Sequence, residues 1–283
     1  MGVYADKTTR WERVKGPDKY NNDWKAFDRD DENDSGTGNE LFGQRVSDCF
    51  SEADVVISNN VDFKVRGNEP FEEFRAFINR YVDLIEDPLK SRQPIRSEET
   101  LMAMAYATSQ QSSCLKRKVG ALIVDGMGTI VSSGYNEVPR DEKPCMQEYR
   151  NCHRDHLCDN FFNELAKKFP EILARQDQIR SAFREQFKML DYCRALHAEE
   201  NAILNLVRNG QSVSLRECTL YTTTYPCRLC AQKIANIKMK RVVYLEPYPQ
   251  SEAKDLLNDA DVIDEFFQGI TFRAYFRIYG DQK

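Results

Sequence analysis

Two short segments of the chain carry residues that can bind a metal and move a proton: an H-x-E segment that begins at His197 and a P-C-x-x-C segment that ends at Cys230. One imidazole and two thiolates suit zinc, and a catalytic zinc keeps a fourth position for water. We therefore predict that His197, Cys227 and Cys230 are metal ligands. Glu199 lies too close to the histidine in sequence to be a comfortable fourth ligand, but it can reach a metal-bound water, which predicts a general acid/base.

Each segment alone is weakly informative, because C-x-x-C pairs also occur in redox and structural zinc sites. Together they match the H-x-E…P-C-x-x-C signature of zinc-dependent nucleobase deaminases. The alternative is a purely structural zinc site. Apolar residues at helical spacing follow each segment and predict that both segments open helices; they are Ala202, Ile203 and Leu206 after the first, and Leu229, Ile234 and Ile237 after the second.

The composition is typical of a globular protein, with 283 residues, of which 41% are hydrophobic and 30% charged. No apolar run approaches the roughly 20 residues of a membrane span, and the first residues lack the apolar core of a signal peptide. We therefore expect a cytoplasmic protein with no membrane partner. We interpret the nine cysteines as thiols and ligands rather than disulfides. A net charge of -5 disfavours a long nucleic acid as partner, since such proteins usually present a basic face.

Helix and strand signals alternate from residue 96 onward. Ser97 predicts the cap of a helix with Glu99 in its first turn, and GALIVD and TIVSSGYN predict a hairpin. The HAE helix, the strand LYTTTY, the PCRLC helix, the strand RVVYLEP, a helix near Ser251 and a final strand FRAYFRIY follow. This order predicts a three-layer α/β/α domain with a mixed sheet over residues 96–283, with the metal motifs at helix N-termini. An insertion at 141–193 is predicted to be helical from Asn160 to Leu190, to break at Pro170 and to pack or make oligomer contacts.

The first 95 residues have a different pattern. The acidic run DRDDENDSGTGNE predicts a mobile loop. LFGQRVSDCF and FEEFRAFINRYVDLI predict helices, and ADVVISN predicts a buried strand. The sequence contains no G-x-x-x-x-G-K-[ST] phosphate loop.

Four blocks in succession, CLKRKVGALIVD, GYNEVPR, HAEENAIL and PCRLC, resemble the deoxycytidylate deaminase family of the cytidine deaminase superfamily, over residues 97–260. The resemblance implies a cytidine deaminase-like fold and hydrolytic removal of the 4-amino group from a deoxycytidine nucleotide, dCMP or dCTP. It also implies that Asn136 helps to hold the sugar and that the chain forms a homo-oligomer.

Residues 1–95 resemble the second half of a P-loop nucleotide-kinase domain, on the segments VYADKTTRWERV and CFSEADVVISN. Such a partial kinase-like region before a deaminase is similar to bacterial antiphage deaminases that deplete the deoxycytidine nucleotide pool. Because the half that would carry the phosphate loop is missing, this resemblance implies either a shortened form of a longer protein or a scaffold without kinase activity.

Several residues near the motifs are candidates for substrate contacts. Tyr225 could line the base pocket or be a core aromatic, and Thr222 could offer a hydroxyl or backbone partner. Arg117 and Arg140 are phosphate candidates, because a guanidinium binds phosphate through two hydrogen bonds; each could instead be an ordinary solvated charge.

A second metal is a further hypothesis, since soft ligands gather in the insertion and just before the HAE helix. These are Cys145, Cys152, His153, His156, Cys158 and Cys193. Some deoxycytidylate deaminases have an additional structural zinc, although the spacing here fits no standard finger. The alternative is that several are buried or exposed thiols. Cys49, Cys114 and Cys218 are interpreted as packing residues.

Two other functions remain open at the level of sequence. One is a deaminase acting on cytosine in RNA or single-stranded DNA, which would need a basic track with stacking aromatics. The other is a non-catalytic zinc protein that binds nucleotides, against which the intact Glu199 argues. Neither phosphate length nor allosteric control by nucleotides follows from the residues.

Overall fold

The chain divides into two units. The structure, a computed structural model, describes residues 1–35, 46–60, 69–86, 96–187, 189, 192–210, 213–247 and 251–280. The first unit comprises residues 1–104, 243–247 and 265–283, and the second comprises 105–242 and 248–264. This division differs from the predicted one, 1–95 and 96–283, because the C-terminal residues belong to the first unit.

The described residues form the following elements. The α-helices are α1 (Lys7–Val14), α2 (Trp24–Ser35), α3 (Val46–Ser51), α4 (Glu69–Glu86), α5 (Ser97–Ser109), α6 (Cys145–Tyr149), α7 (His153–Lys168), α8 (Gln176–Gln186), α9 (Ala198–Arg208), α10 (Arg228–Ile237), α11 (Ser251–Asp259) and α12 (Phe272–Tyr279). The strands are β1 (Gly2–Tyr4), β2 (Val55–Ser58), β3 (Gly120–Val124), β4 (Ile130–Tyr135), β5 (Thr219–Thr224), β6 (Arg241–Glu246), β7 (Ile263–Phe266) and β8 (Gly269–Ile270). Two 3-10 helices cover Pro170–Arg175 and Leu215–Glu217. No helix in the described ranges is both long enough and apolar enough to cross a membrane.

The first unit is built on a three-stranded sheet of order β1-β2-β8. Strand β1 is parallel to β2, and β2 is antiparallel to β8. The strand and helix predicted at ADVVISN and FEEFRAFINRYVDLI are confirmed as β2 and α4, and the described part of LFGQRVSDCF is the helix α3. A buried apolar cluster joins β2, α4, β8 and α12, and its members are Val55, Ile57, Tyr81, Leu84, Ile270, Ala274, Ile278 and Tyr279.

A buried carboxylate stabilises this cluster. Glu99 lies in the first turn of α5, as predicted, but its side chain is fully buried. It accepts hydrogen bonds from the hydroxyls of Tyr81 (2.5 Å) and Tyr279 (2.7 Å) and from the backbone N–H of Ile270 (3.1 Å). Three donors compensate the desolvation of the carboxylate, which would otherwise be costly.

The prediction of a last strand at FRAYFRIY is wrong, because these residues form the helix α12. A strand would place alternate residues on one face, yet Phe276 is 72% exposed while Ala274 and Ile278 are buried. Ala274, Ile278 and Tyr279 instead recur at helical spacing and face the core. The many aromatic residues of this segment favour a strand, but a helix buries Ala274, Ile278 and Tyr279 together, and the segment is therefore helical.

The prediction of a mobile loop at the acidic run is also wrong for its first part. Residues 28–35 lie in α2, and residues 36–40 lie outside the described residues. The acidic side chains have cationic partners on α1: Lys7 pairs with Asp28 and Asp31, and Arg10 pairs with Asp31. The prediction of a loop depended on the high negative charge of this run, and these ion pairs neutralise part of that charge.

The second unit is built on the sheet β4-β3-β5-β6-β7. Strand β3 is antiparallel to both β4 and β5, so Ala121 pairs with Gly134 on one side and with Thr222 on the other. The predicted hairpin is therefore confirmed, as are the strands at LYTTTY and RVVYLEP and the helix from Ser251.

Helix α9 lies unusually close to β4. A Cβ atom on Gly134 would lie 2.3 Å from Ala202 N and 2.4 Å from Ala198 O, so only glycine permits this approach. The Ser132 hydroxyl donates to Ala202 O (2.6 Å), and the Asn201 amide donates to Tyr135 O (2.8 Å). These contacts fix the position of the helix whose first turn carries Glu199.

The insertion consists of α6, α7, the 3-10 helix and α8. The break at Pro170 is confirmed, but the helix starts at His153 rather than near residue 160, so the histidine-rich segment is itself helical. Phe161, Phe169 and Phe187 are about half exposed. They are therefore not simple core residues of the described chain.

Candidate active site and metal centre

The predicted metal ligands lie at the starts of two helices. His197 is the residue before α9, and Cys227 is the residue before α10; both have extended backbone conformations. Cys230 lies in the first turn of α10 and is 1% exposed. The prediction that both motifs open helices is confirmed, and the positive ends of two helix dipoles lie beside the three side chains.

The three ligand atoms converge. His197 Nδ1 lies 3.3 Å from the Sγ atoms of both Cys227 and Cys230. Among the described residues, this is the one set of three or more His, Cys, Asp or Glu residues whose ligand atoms all lie within 4.8 Å of one another. One ring nitrogen and two sulfurs are a donor set that fits zinc.

Hydrogen bonds among these side chains shift their pKa values in different directions. Hydrogen bonds from Cys230 and from His197 lower the pKa of Cys227 to about 4. The hydrogen bond to Cys227, with burial, raises the pKa of Cys230, and the hydrogen bond with Cys227 raises the pKa of His197. Cys227 is therefore the first thiolate of the set, and it lies at a helix N-terminus, which favours the anion.

Glu199 lies in the first turn of α9 and is 4% exposed. Burial raises the pKa of its carboxyl, and the nearby His197 opposes this change. The next residue is Glu200, whose Oε1 lies 3.6 Å from Lys233 Nζ on α10. This ion pair connects the two helices that carry the motifs. A buried carboxyl beside a cation site can hold a proton and release it.

Asn136 braces a loop of the second unit. Its side-chain N–H donates to Arg117 O (2.8 Å), and its Oδ1 accepts from Val119 N (2.7 Å). Both ends of the amide are thus used by the backbone of the loop between α5 and β3. The structure places Asn136 as a support of this loop, and its contact with a sugar stays a prediction.

The other predicted substrate residues divide into buried and exposed ones. Tyr225 is 6% exposed and donates from its hydroxyl to Asp264 (3.0 Å), while Thr222 is fully buried and donates to Thr224 O (3.0 Å). Arg117 and Arg140 have exposed side chains on the loops that precede β3 and follow β4. The hydroxyls of Tyr225 and Thr222 donate to other groups of the protein, whereas the side chains of Arg117 and Arg140 are exposed to solvent.

The predicted second-metal residues are only partly gathered. Cys145, Cys152, His153 and Cys193 line one pocket, together with Cys114, which the sequence analysis interpreted as a packing residue. Burial raises the pKa of Cys193, and the thiols of Cys114 and Cys152 act in the same direction because they lie close by. Cys114 comes from the loop before β3, so sequence proximity to the cluster could not reveal it.

Two residues of that prediction lie elsewhere. His156 stacks on Tyr149 with a centroid distance of 4.9 Å and contacts Asn160 (3.0 Å). Cys158 is 3% exposed in α7. Neither lines the pocket that holds the other four.

Comparison with known proteins agrees with this geometry. Residues 95–246 match the family described as the cytidine and deoxycytidylate deaminase zinc-binding region, which is more than half of the chain. The chain belongs to this family. The deaminase therefore has the cytidine deaminase-like α/β fold with a mixed sheet, and zinc is the metal that the family binds.

Named relatives of this deaminase align with more than half of its length. The deoxycytidylate deaminase of Enterobacteria phage T2 is 33% identical over 175 residues, which cover 58% of this chain and 88% of the phage protein. That of Schizosaccharomyces pombe is 31% identical over 162 residues, covering 57% of this chain and 41% of the yeast protein. A crystal structure of dCMP deaminase from cyanophage S-TIM5 covers 62% of this chain at 23% identity, with a TM-score of 0.41.

Proposed function

We propose that this deaminase hydrolyses dCMP to dUMP and ammonia. The observation that carries the proposal is the convergence of His197, Cys227 and Cys230 beside the buried carboxyl of Glu199. The names of the phage and yeast relatives support dCMP as the substrate. The enzyme is thus a hydrolase of nucleotide metabolism.

His197 Nδ1 and the sulfurs of Cys227 and Cys230 would hold the zinc. A bound zinc supplies a water whose pKa is lowered to about 7, and therefore a nucleophile at neutral pH. The helix N-termini favour the thiolate form of both cysteines that zinc binding requires, and zinc binding releases the protons that the free ligands hold.

Glu199 moves the protons. Its carboxylate takes a proton from the attacking water and passes it to N3 of the cytosine ring while the water oxygen bonds to C4. The same carboxyl then carries a proton from the new C4 hydroxyl to the amino group, so the C4–N bond breaks, the C4 carbonyl forms and ammonia is released. Burial keeps this carboxyl away from bulk water, so the proton goes to the substrate.

The rest of the nucleotide would meet the two loops that surround this centre. Arg117 and Arg140 are proposed to bind the phosphate, Asn136 to contact the sugar, and the Tyr225 ring and Thr222 to line the base pocket. The exposure of both arginines supports their assignment, and the commitment of the Tyr225 hydroxyl to Asp264 makes the ring face the contact.

The test is ammonia release from dCMP, dCTP and a deoxycytidine-containing oligonucleotide, each supplied separately to protein with a measured zinc content. We expect turnover of dCMP, and the ratio to dCTP measures which phosphate length is accepted. Glu199→Gln is the matched control, since it keeps the size of the side chain. Equal activity of that variant, or turnover of the oligonucleotide alone, would overturn the proposal.

We also propose a structural zinc in the pocket lined by Cys114, Cys145, Cys152, His153 and Cys193. The gathering of four thiols and one imidazole in a single pocket supports it. Metal analysis should then find two zinc ions per chain, and Cys193→Ser should lose one of them while the other is retained. A single zinc in the unaltered chain would contradict this proposal.

The remaining proposals concern the context of the enzyme. The parallel pairing of β1 and β2 supports a partial kinase-like origin of the first unit, and an antiphage role through depletion of deoxycytidine nucleotides would show as reduced phage growth that depends on Glu199. Half-exposed aromatics of the insertion support a homo-oligomer, which light scattering tests. Reduced thiol ligands favour the cytoplasm.

A further inference from the structure

The side chain of Glu137 is used entirely to hold a neighbouring loop. Its Oε2 accepts from the backbone N–H of Ser113 (2.7 Å), and its Oε1 accepts from the Ser113 hydroxyl (2.6 Å) and from Val138 N (2.9 Å). The carboxylate therefore anchors the start of the segment 112–118, which runs between α5 and β3 and carries Arg117.

A second anchor lies one residue earlier. The Ser112 hydroxyl donates to Asn136 O (2.6 Å) and accepts from Cys114 N (3.2 Å), and the Asn136 amide holds the far end of the segment at Arg117. Removing the Glu137 carboxylate would leave the bonds of Ser112 and Asn136 intact. The segment would then stay attached at both ends while Ser113 lost its bonds and became free to move.

The backbone of Glu137 connects this loop to the metal centre. Glu137 N donates to Leu196 O (3.2 Å), and Leu196 N donates to Glu137 O (2.9 Å), which forms an isolated antiparallel bridge. Leu196 directly precedes His197. Glu137 is thus bonded on one side to the arginine-bearing loop and on the other to the residue before a zinc ligand.

We propose that Glu137 is a positioning residue that holds segment 112–118, and with it Arg117, at the distance from the metal centre that dCMP requires. The inference rests on the proposed function, because it assigns Arg117 to the phosphate of the substrate. Glu137 itself touches neither the metal nor the reacting atoms. It acts through the position of the loop.

Glutamine cannot replace this carboxylate without loss. Glu137 accepts from two backbone N–H groups, one at each oxygen. A glutamine side chain has one oxygen, and with that oxygen in the Oε2 position it would keep the bond from Ser113 N, donate its NH2 group to the Ser113 hydroxyl and lose only the bond from Val138 N. Glu137→Ala, which removes both oxygens, is therefore the variant that releases Ser113.

The first experiment measures KM and kcat for dCMP with Glu137→Ala, alongside zinc content. Loss of the bonds to Ser113 predicts a KM increase of about tenfold, with kcat changed less than threefold and the catalytic zinc kept. Asp125→Ala is the matched control, because Asp125 Oδ1 accepts from both Met127 N and Thr129 N (2.9 Å each) in the β3–β4 turn, and alanine removes these bonds in the same way. An unchanged KM, or a fall in kcat and zinc content alone, would show a structural role instead.

The second experiment is a double-mutant cycle with Arg117→Ala. If Glu137 acts through Arg117, the KM increase caused by Glu137→Ala should disappear in the Arg117→Ala background. Fully additive effects would refute the link. Ser113→Ala, which removes one hydroxyl donor and keeps the carboxylate, should raise KM less than Glu137→Ala does.

Hydrogen exchange distinguishes failure of this inference from failure of the proposed function. The Ser113 amide should lose protection in Glu137→Ala and keep it in Asp125→Ala, whatever the substrate is. If the unaltered protein does not deaminate dCMP, the proposed function fails and the exchange result still decides whether Glu137 holds the loop. Unchanged protection of Ser113 would overturn the inference directly.

Discussion

Replacing Gly134 by alanine should displace helix α9 and thereby disturb the active site. The added Cβ would lie 2.3 Å from Ala202 N and 2.4 Å from Ala198 O, whereas ordinary contacts begin at 3.4 Å. Both neighbours are backbone atoms of a helix, so no side chain can rotate away. Helix α9 must therefore withdraw from β4 by about 1 Å, a shift of the size that can reduce turnover about a hundredfold when it misplaces catalytic groups.

The energetic cost has two parts. Overpacking of this kind costs about 1–3 kcal/mol. Withdrawal of the helix also strains three hydrogen bonds between α9 and β4, from Ser132, Asn201 and Asn205, each contributing about 1 kcal/mol. If a shift of this size costs about a third of the contribution of these bonds, we expect a loss of about 2–4 kcal/mol in the free energy of unfolding. This is below the total stability of an ordinary domain, so the variant should still fold.

The assay combines urea unfolding, zinc content and dCMP turnover on Gly134→Ala and on Gly126→Ala. The control is matched, because Gly126 lies in the turn of the same hairpin and its added Cβ would meet only Glu217 O at 3.8 Å. Gly134→Ala should lose both stability and kcat, and Gly126→Ala should lose neither. If the two variants are indistinguishable, α9 tolerates the shift and the geometry does not control catalysis.

Three further predictions concern Glu199, the bound metal and Glu99. The Glu199→Gln variant should keep its zinc, and its kcat, measured by ammonia release, should fall by a factor of about 10²–10⁴ because the proton carrier is removed. Removal of the metal with a chelator should lower the unfolding midpoint and abolish turnover, and added zinc should restore both. The Cys230→Ser variant, treated in the same way, should regain only part of its stability and turnover. Glu99→Ala should cost at least about 3 kcal/mol in urea unfolding, because three buried donors lose their acceptor, and a loss below about 1 kcal/mol would contradict this.

The sequence predicted the metal centre well, because its determinants are local. The spacing of His197 and Glu199 and of Cys227 and Cys230 fixes their places at two helix starts, and the apolar period after each motif predicts the helix itself. The convergence of the two starts depends on β4, β3 and β5 being neighbours. The sequence analysis predicted a mixed sheet without this order, because periodicity does not show which strands pair.

The sequence predicted the first unit less well, because its elements depend on distant partners. The acidic part of α2 is helical since Lys7 and Arg10 neutralise it, and α12 is helical since its buried face meets the cluster around Tyr81. Local composition cannot show either partner. Tertiary contacts thus decided both elements against their local propensity.

The insertion shows most clearly what spacing conceals. It separates Glu137 from Leu196 in sequence, yet the two residues form a bridge that closes its base. Because the chain is pinned there, the helices α6 to α8 can vary in length at a small entropic cost without moving His197. A linear motif such as GYNEVPR therefore carries two kinds of information: Asn136 and Glu137 hold the loop that is proposed to bind the phosphate, and the backbone of Glu137 pairs with the residue before His197 across the insertion.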